Sequence, residues 1–255
     1  MTNKEMLCTA LKQSALELNC TVDDLTGGKS KAVISSTAEG ARKYLSLPFY
    51  CQLVSYGSGI VASVNEEIYA DAKAYIEKYA PEHCFETPNM LVLQSALERR
   101  GMSACFMAEY WLCDTGAIRP LDCGYELRLL TAEDFAPLYT PQWSNALCEK
   151  RKELDVLGIG AYDGEKLVGL AGCSADCESM WQIGVDVLPE YRRHGIASAV
   201  TSRLAAEIMA RGKTPFYCCA WSNVASARNA IRAGFRPAWV ELTAKSAEYT
   251  ADMNK

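Results

Sequence analysis

Between residues 181 and 208 the sequence changes its period, and no other feature of the chain limits its local fold so tightly. Trp181, Ile183, Val185 and Val187 alternate with Gln182, Gly184 and Asp186, the two-residue repeat of a strand. Pro189 has no backbone donor and ends the ladder. From His194 onward the repeat is different. Ile196, Val200, Leu204 and Ile208 recur every four residues, on one face of a helix, and Gly212 follows as a C-terminal stop. The residues Glu190-Tyr191-Arg192-Arg193-His194-Gly195 therefore join the end of a strand to the start of a helix.

The first backbone N–H groups of such a helix lack intrahelical partners and carry the positive end of its dipole. Gly195, Ala197 and Ser198 are small, so a ligand can come close to the backbone, and Arg192 and Arg193 add positive charge. Together they form an anion site suited to a pyrophosphate. The same residues also fit a closely packed helix start with two solvated arginines. His194, inside the turn, reads as a ligand contact or a solvated side chain rather than a catalytic base.

Composition removes several function classes. The net charge is -5, with 11 basic and 15 acidic residues before Gly124 and 15 and 16 after it. Neither half can bind nucleic acid through its overall charge, so any anion site must be local. The twelve cysteines are scattered, mostly within apolar segments, without a CxxC, and read as reduced, buried small hydrophobes. With only His83 and His194 present, no metal site is expected. The opening residues lack the pattern of a secretory signal. No apolar run reaches the roughly 18 residues of a membrane span, so no membrane role and a cytoplasmic location are expected.

The first half reads as mixed α and β: a helix over 3–19, two β-rich runs around Gly57-Ser58-Gly59, and a helix after Asn65 as N-cap. Another helix over 89–100 and a strand beginning at Met102 follow. Gly28-Lys29-Ser30 does not make a phosphate loop, because Asp23 stands where that motif needs glycine. The turn-rich stretch 113–124 marks a boundary, giving a smaller α+β domain over 1–122 and a second domain over 123–255. In the second, strands are expected near 125–130, 156–163, 166–174, 180–188 and 215–220. Helices are expected near 132–139, 143–151, 194–211 and 224–233. Asp163-Gly164 closes a hairpin. The fold class is α+β, a mostly antiparallel central sheet flanked by helices.

Arg192 to Ala197, R-R-H-G-I-A, matches the Q/R-x-x-G-x-G/A signature of the GNAT superfamily of acetyltransferases. The surrounding DVLPEYRRHGIA and the later SNVASARNAIRAGF, with Asn223, Ser226 and Gly234-Phe235, resemble that family's longer pattern and its following motif. The resemblance covers residues 125 to about 245, and the first half is similar to the N-terminal part of some two-domain bacterial members. Its element order is compatible with a degenerate copy of the second half.

The resemblance implies a GNAT fold that binds acetyl-CoA. The pyrophosphate would lie on backbone groups of Arg193, Gly195, Ala197 and Ser198, within a turn that also includes Arg192, His194 and Ile196. The backbone of Val185 and Val187 would take the pantetheine arm and the thioester carbonyl, with an N–H near Val187 serving the oxyanion. Asn223 and Ser226 would meet the cofactor from the far side, and Asn223 also reads as a plain helix N-cap. Many members carry a tyrosine four residues before the Gly-Phe glycine as the thiol's acid; this chain has Ala230 there. Tyr217, Cys218, Cys219 and Ser222 are nearby alternatives, so no catalytic residue is assigned. Trp181, Trp221 and Trp239 are equally candidates for an acceptor pocket or for packing. The implied activity is N-acetyl transfer to the amine of a small molecule or peptide. The alternative is an acyl-CoA-binding sensor without turnover. A nucleotide-binding protein of another fold would need a glycine-rich loop after a first parallel strand, and none is present. Acceptor identity and oligomeric state are not legible in the sequence.

Overall fold

The computed structural model describes residues 1–255. Its elements begin with α1 (Asn3–Leu18), α2 (Val22–Thr26), β1 (Lys31–Ile34), β2 (Cys51–Ser55), β3 (Val61–Val64), α3 (Tyr69–Lys78), α4 (Thr87–Glu98) and β4 (Met102–Cys113). There follow β5 (Glu126–Thr131), β6 (Asp155–Asp163), β7 (Lys166–Ser174), β8 (Met180–Val187), α5 (Ile196–Ala210), β9 (Thr214–Ala220), α6 (Val224–Arg232), β10 (Phe235–Ser246) and α7 (Ala247–Met253). None of the helices is long and apolar enough to cross a membrane. No disulfide links any of the twelve cysteines.

The chain divides into two compact units, one of Met1–Thr9 with Trp111–Pro237 and one of Ala10–Tyr110 with Ala238–Lys255. The division differs from the boundary at 122/123 read from the turn formers. That stretch punctuates the first unit instead of ending a domain, because Trp111, Cys113 and Met6 are all buried in the first unit's core. Asp114 is tied there twice, through its N–H to the Gly234 carbonyl at 2.8 Å and through its carboxylate to Asn3 Nδ2 at 2.9 Å.

In the first unit β5, β6, β7 and β8 form an antiparallel meander, and β9 joins β8 in parallel. Asp163 and Lys166 are cross-strand partners, so the hairpin turns on Glu165 and on Gly164, whose φ is +59°. Helix α5 buries Ile196, Val200, Leu204 and Ile208 against one face of this sheet. Gly169 on β7 lets it approach, since a Cβ there would collide with Ile196 Cγ2. The result is the mixed, mostly antiparallel sheet with flanking helices that the sequence led us to expect.

The helices expected near 132–139 and 143–151 are instead short 3-10 turns, at Ala132–Asp134, Ala136–Leu138, Pro141–Trp143 and Glu149–Leu154. Two causes are visible. Pro137 and Pro141 lack the N–H that a continuous helix requires. The backbone of Asn145 and Ala146 also lies directly on the sheet, where Gly184 and Gly172 leave room for their carbonyl oxygens. The Asp186 carboxylate fixes that segment by accepting from the N–H of Asn145 at 2.8 Å and of Ala146 at 2.9 Å.

The second unit has strand order β1-β3-β2-β10-β4. The expected hairpin is present, with Cys51 opposite Val64 and Val54 opposite Val61. Asn65 caps as predicted, accepting from the Glu67 N–H at 2.9 Å, although a 3-10 turn intervenes before α3. One sheet face carries an apolar core that includes Leu53, Ile68, Ile76 and Leu242. Elsewhere in this unit Arg42 is buried between Glu17 at 2.7 Å and Glu241 at 3.0 Å. A buried ionic cluster of this kind holds its segments in one arrangement, since removing one member strands the others. Trp239 is stacked between Tyr56 and Tyr110 in the same unit.

The close approach at Gly184 gives a direct test. Gly184→Ala places a carbon on the Asn145 carbonyl oxygen, which is backbone and cannot rotate away. Thermal unfolding should show a loss of about 2 kcal/mol or more, the upper range for overpacking. An unchanged melting temperature would mean that the 141–147 segment does not rest on the sheet.

Candidate functional site

The site begins where two strands part. Strands β8 and β9 are paired from Met180–Thr214 to Ile183–Tyr217. Their register stops there, although β8 continues to Val187 and β9 to Ala220. On its other side β8 stays paired with β7 as far as Val187, opposite Gly169. Half of the peptide groups of residues 184–187 therefore face a gap rather than a neighbouring strand.

Which groups face the gap follows from the ladder. The Leu188 N–H donates to the Val168 carbonyl at 3.0 Å, so the next residue pair along, Val187 with Gly169, is of the non-bonded kind. Alternation then turns the N–H and C=O of Val187 and Val185 away from β7 and into the gap. The Val187 carbonyl is taken up locally, accepting from Arg192 Nε at 3.2 Å. The Val187 N–H and both backbone groups of Val185 remain available along an edge.

The strand then enters the turn. Pro189–Tyr191 form a 3-10 turn, and Arg192 is extended. Arg193 has φ of +69° and Gly195 has φ of +83°. Glycine adopts this region freely, whereas an arginine there is strained by about 1 kcal/mol or more. Positive φ at alternate residues curls a run of N–H groups inward, the geometry of an anion-binding nest. The first intrahelical donor of α5 is Ala199, to the Gly195 carbonyl at 3.1 Å. The N–H groups of Ile196, Ala197 and Ser198 precede it, at the positive end of the helix dipole.

The side chains of the turn divide into two sets. Arg192, Arg193 and His194 are exposed, and the bond to Val187 fixes where the Arg192 guanidinium stands. Ile196 is buried in the core, and Ser198 Oγ donates to Asn229 Oδ1 at 3.1 Å. Ile196 and Ser198 can therefore offer a ligand only their backbone. Nothing crowds the turn on its open side, since a Cβ built on Gly195 would find its nearest atoms 4.0 Å away.

Helix α6 packs against both α5 and β9. Asn223 is its N-cap, with Oδ1 accepting from the Ser226 N–H at 3.1 Å, which leaves the exposed amide nitrogen free to donate. Ser226 Oγ lies 2.7 Å from the Tyr217 hydroxyl, and either can donate. Asn229 lies between the helices, donating from Nδ2 to Thr201 Oγ1 at 3.2 Å while accepting from Ser198. Burial pushes the Tyr217 hydroxyl above the usual tyrosine range, and the side chains of Ser226 and Asn229 partly offset it.

The structure brings Val185, Val187, Arg192, Arg193, His194, Gly195, Ile196, Ala197 and Ser198 into one continuous edge and turn, with Asn223 and Ser226 on the neighbouring helix. Ala230 is fully buried among core residues rather than facing an opening. Cys219 is buried on the same face as Tyr217, whereas Cys218 points to the opposite face, its sulfur accepting from Gln182 Nε2 at 3.1 Å. Ser222 is exposed. The three tryptophans do not form one group: Trp181 packs against the core, Trp221 is exposed, and Trp239 belongs to the second unit. No three His, Cys, Asp or Glu side chains come together as a metal-holding group. The sequence reading missed Asn229 and the pairing of Tyr217 with Ser226, since neither has a local pattern that marks it.

The model of the family described as GNAT acetyltransferase matches residues 92–238. No functionally curated protein matches the chain. Among solved structures, the chain is similar to a GNAT-family protein of Novosphingobium aromaticivorans, at 19% identity over 56% of this chain and 66% of that one, TM-score 0.41. A GCN5-related N-acetyltransferase of Sphaerobacter thermophilus is 16% identical over 74% and 72%, TM-score 0.46. The protein yncA of Salmonella typhimurium, solved with its cofactor acetyl-CoA, is 17% identical over 48% and 93%, TM-score 0.34. The chain thus spans just under two thirds of the first of these.

The left-handed arginine can be tested. Arg193→Gly removes backbone strain together with one positive charge at the turn. It should raise stability by up to about 1 kcal/mol in thermal unfolding and weaken the binding of a pyrophosphate-bearing ligand. A variant that loses stability would show that the arginine is held there by packing.

Proposed function

The chain belongs to the GNAT acetyltransferase family, and from that premise we propose that it moves an acetyl group from acetyl-CoA to an amine of a small molecule or peptide. The observation that carries this reading is the turn from Arg192 to Ser198. It presents curled backbone donors at a helix N-terminus, directly beyond a strand edge whose peptide groups face a gap. A pyrophosphate needs such donors, and the amide-bearing pantetheine arm needs such an edge.

Acetyl-CoA is a co-substrate here, and the residues present fit it. The N–H groups of Ile196, Ala197 and Ser198 would take the phosphate oxygens, with Arg192 and Arg193 adding charge and His194 at the rim. Val185 would pair with the pantetheine amides through its N–H and C=O. The Val187 N–H, in a fixed position and directed into the gap, would donate to the thioester oxygen as negative charge develops on it. Asn223 Nδ2 and Ser226 would approach from α6. Holding the thioester on this edge while an amine attacks supplies much of the acceleration through positioning alone.

A second reading, an acyl-CoA sensor without turnover, draws on Ala230, which is buried where many relatives carry an acid. One assay separates the two. Acetyl-CoA is incubated with polyamines, aminoglycosides, amino acids and short peptides, and acetylated product is read by mass spectrometry. The acyltransferase reading expects product with at least one class, and the sensor reading expects cofactor binding with none. Gly195→Glu should lower acetyl-CoA affinity by about 100-fold or more, or about 2.7 kcal/mol, in titration calorimetry. Retained affinity would remove the turn from the site.

A further inference from the structure

Acyl transfer from a thioester ends with an electron pair on sulfur that takes up a proton, and a buried phenol stands on the residue where β8 and β9 part. Tyr217 is the last residue of β9 paired with β8, opposite Ile183, so its Cα stands where the strands part. Its ring packs on the helix side of the sheet, 6.0 Å from the ring of Phe235. Its hydroxyl meets Ser226 Oγ at 2.7 Å, in the first turn of α6, the helix that packs on β9. Of the other groups near this point, Cys218 turns to the opposite face and Ser222 is exposed beyond the strand end.

We propose that Tyr217 is the catalytic acid for the departing thiolate, supplied from the strand because the helix position four residues before Gly234 is the buried Ala230. This rests on the acyltransferase reading above. The amine nitrogen attacks the thioester carbon, forming the N–C bond and moving the C=O pair onto oxygen. Collapse re-forms C=O and breaks the C–S bond, leaving the pair on sulfur. Sulfur takes the Tyr217 proton. The phenolate, with Ser226 to donate to it, is reprotonated by the proton lost from the amine nitrogen, by way of solvent. The products are the acetamide and free CoA thiol, with no other reactant consumed.

The residues around the phenol suit that cycle. Burial holds the hydroxyl protonated through neutral pH, so the acid is present in its working form. The Ser226 hydroxyl and the Asn229 amide then limit the penalty of the transient phenolate. Asn229 also accepts from Ser198 Oγ in the first turn of α5. A continuous set of side chains thus runs from the phosphate turn to the phenol.

The test compares wild type with Tyr217→Phe, which keeps the ring and its contact with Phe235. Acetyl-CoA affinity is measured by calorimetry and turnover by mass spectrometry, with both acetyl-CoA and its selenoester analogue. The selenolate leaves without needing a proton. Tyr217→Phe should bind acetyl-CoA within about threefold of wild type and lose about 100-fold in kcat with the thioester, the scale of general acid catalysis. With the selenoester the loss should shrink to about threefold or less. Equal losses with both donors, or no loss with either, would overturn the assignment. Ser226→Ala keeps the phenol and should lower kcat by about three- to tenfold with the thioester only; unchanged kcat, or an equal loss with both donors, would count against it whether or not Tyr217→Phe folds. Wild-type protein that binds acetyl-CoA but yields no product would overturn the acyltransferase reading and this assignment with it.

Discussion

Strand β8 keeps its antiparallel partner to its last residue and loses its parallel partner halfway, at Ile183 opposite Tyr217. Backbone groups in a sheet interior are ordinarily all paired, and leaving them unpaired and dry is costly. A gap in the ladder is tolerated when water or a ligand completes it. Everything else in the candidate site is arranged around that gap. The edge of Val185 and Val187 lines it, the turn from Arg192 to Ser198 extends it, and Tyr217 stands where it opens, with α6 packed on β9 beside it. The glycines at 169, 172 and 184 let α5 and the 145–146 backbone lie directly on β7 and β8, so the strand that carries the edge is packed closely on both faces.

The turn shows how local strain is maintained. An arginine at positive φ persists only where its surroundings fix the conformation. Here the next residue but one is also left-handed, Arg192 is tied to the Val187 carbonyl, and Ile196 anchors the helix start in the core. These constraints aim the N–H groups of residues 196–198 before any anion arrives. Preorganised donors need no rearrangement on binding, which favours both affinity and catalysis.

Much of this was legible from the residues. The change of period at Pro189 located the strand, the turn and the helix to within two residues of Met180–Val187 and Ile196–Ala210. Asp163-Gly164 and Gly57-Ser58-Gly59 marked their hairpins by turn chemistry alone. What failed depended on tertiary contact. The 132–151 segment has enough apolar residues to suggest helices, yet Pro137, Pro141 and contact with the sheet break it into 3-10 turns. The 113–124 stretch contains turn formers, but Trp111 and Cys113 before it share a core with residues that follow it. Arg42 meets Glu17 and Glu241 across 25 and 199 positions of sequence, and no local pattern reports such a pair. Tyr217 and Ser226 were each noticed in the sequence, but their contact was not, because it depends on how α6 rests on β9.

The central claim is that the strand edge and the turn together hold acetyl-CoA through their backbone. Amide hydrogen exchange, resolved to single residues with and without acetyl-CoA, tests it most directly. The account predicts added protection at Val185, Val187, Ile196, Ala197 and Ser198, with little change across β5 and β6. Binding without protection at these amides, or with protection concentrated elsewhere, would contradict it.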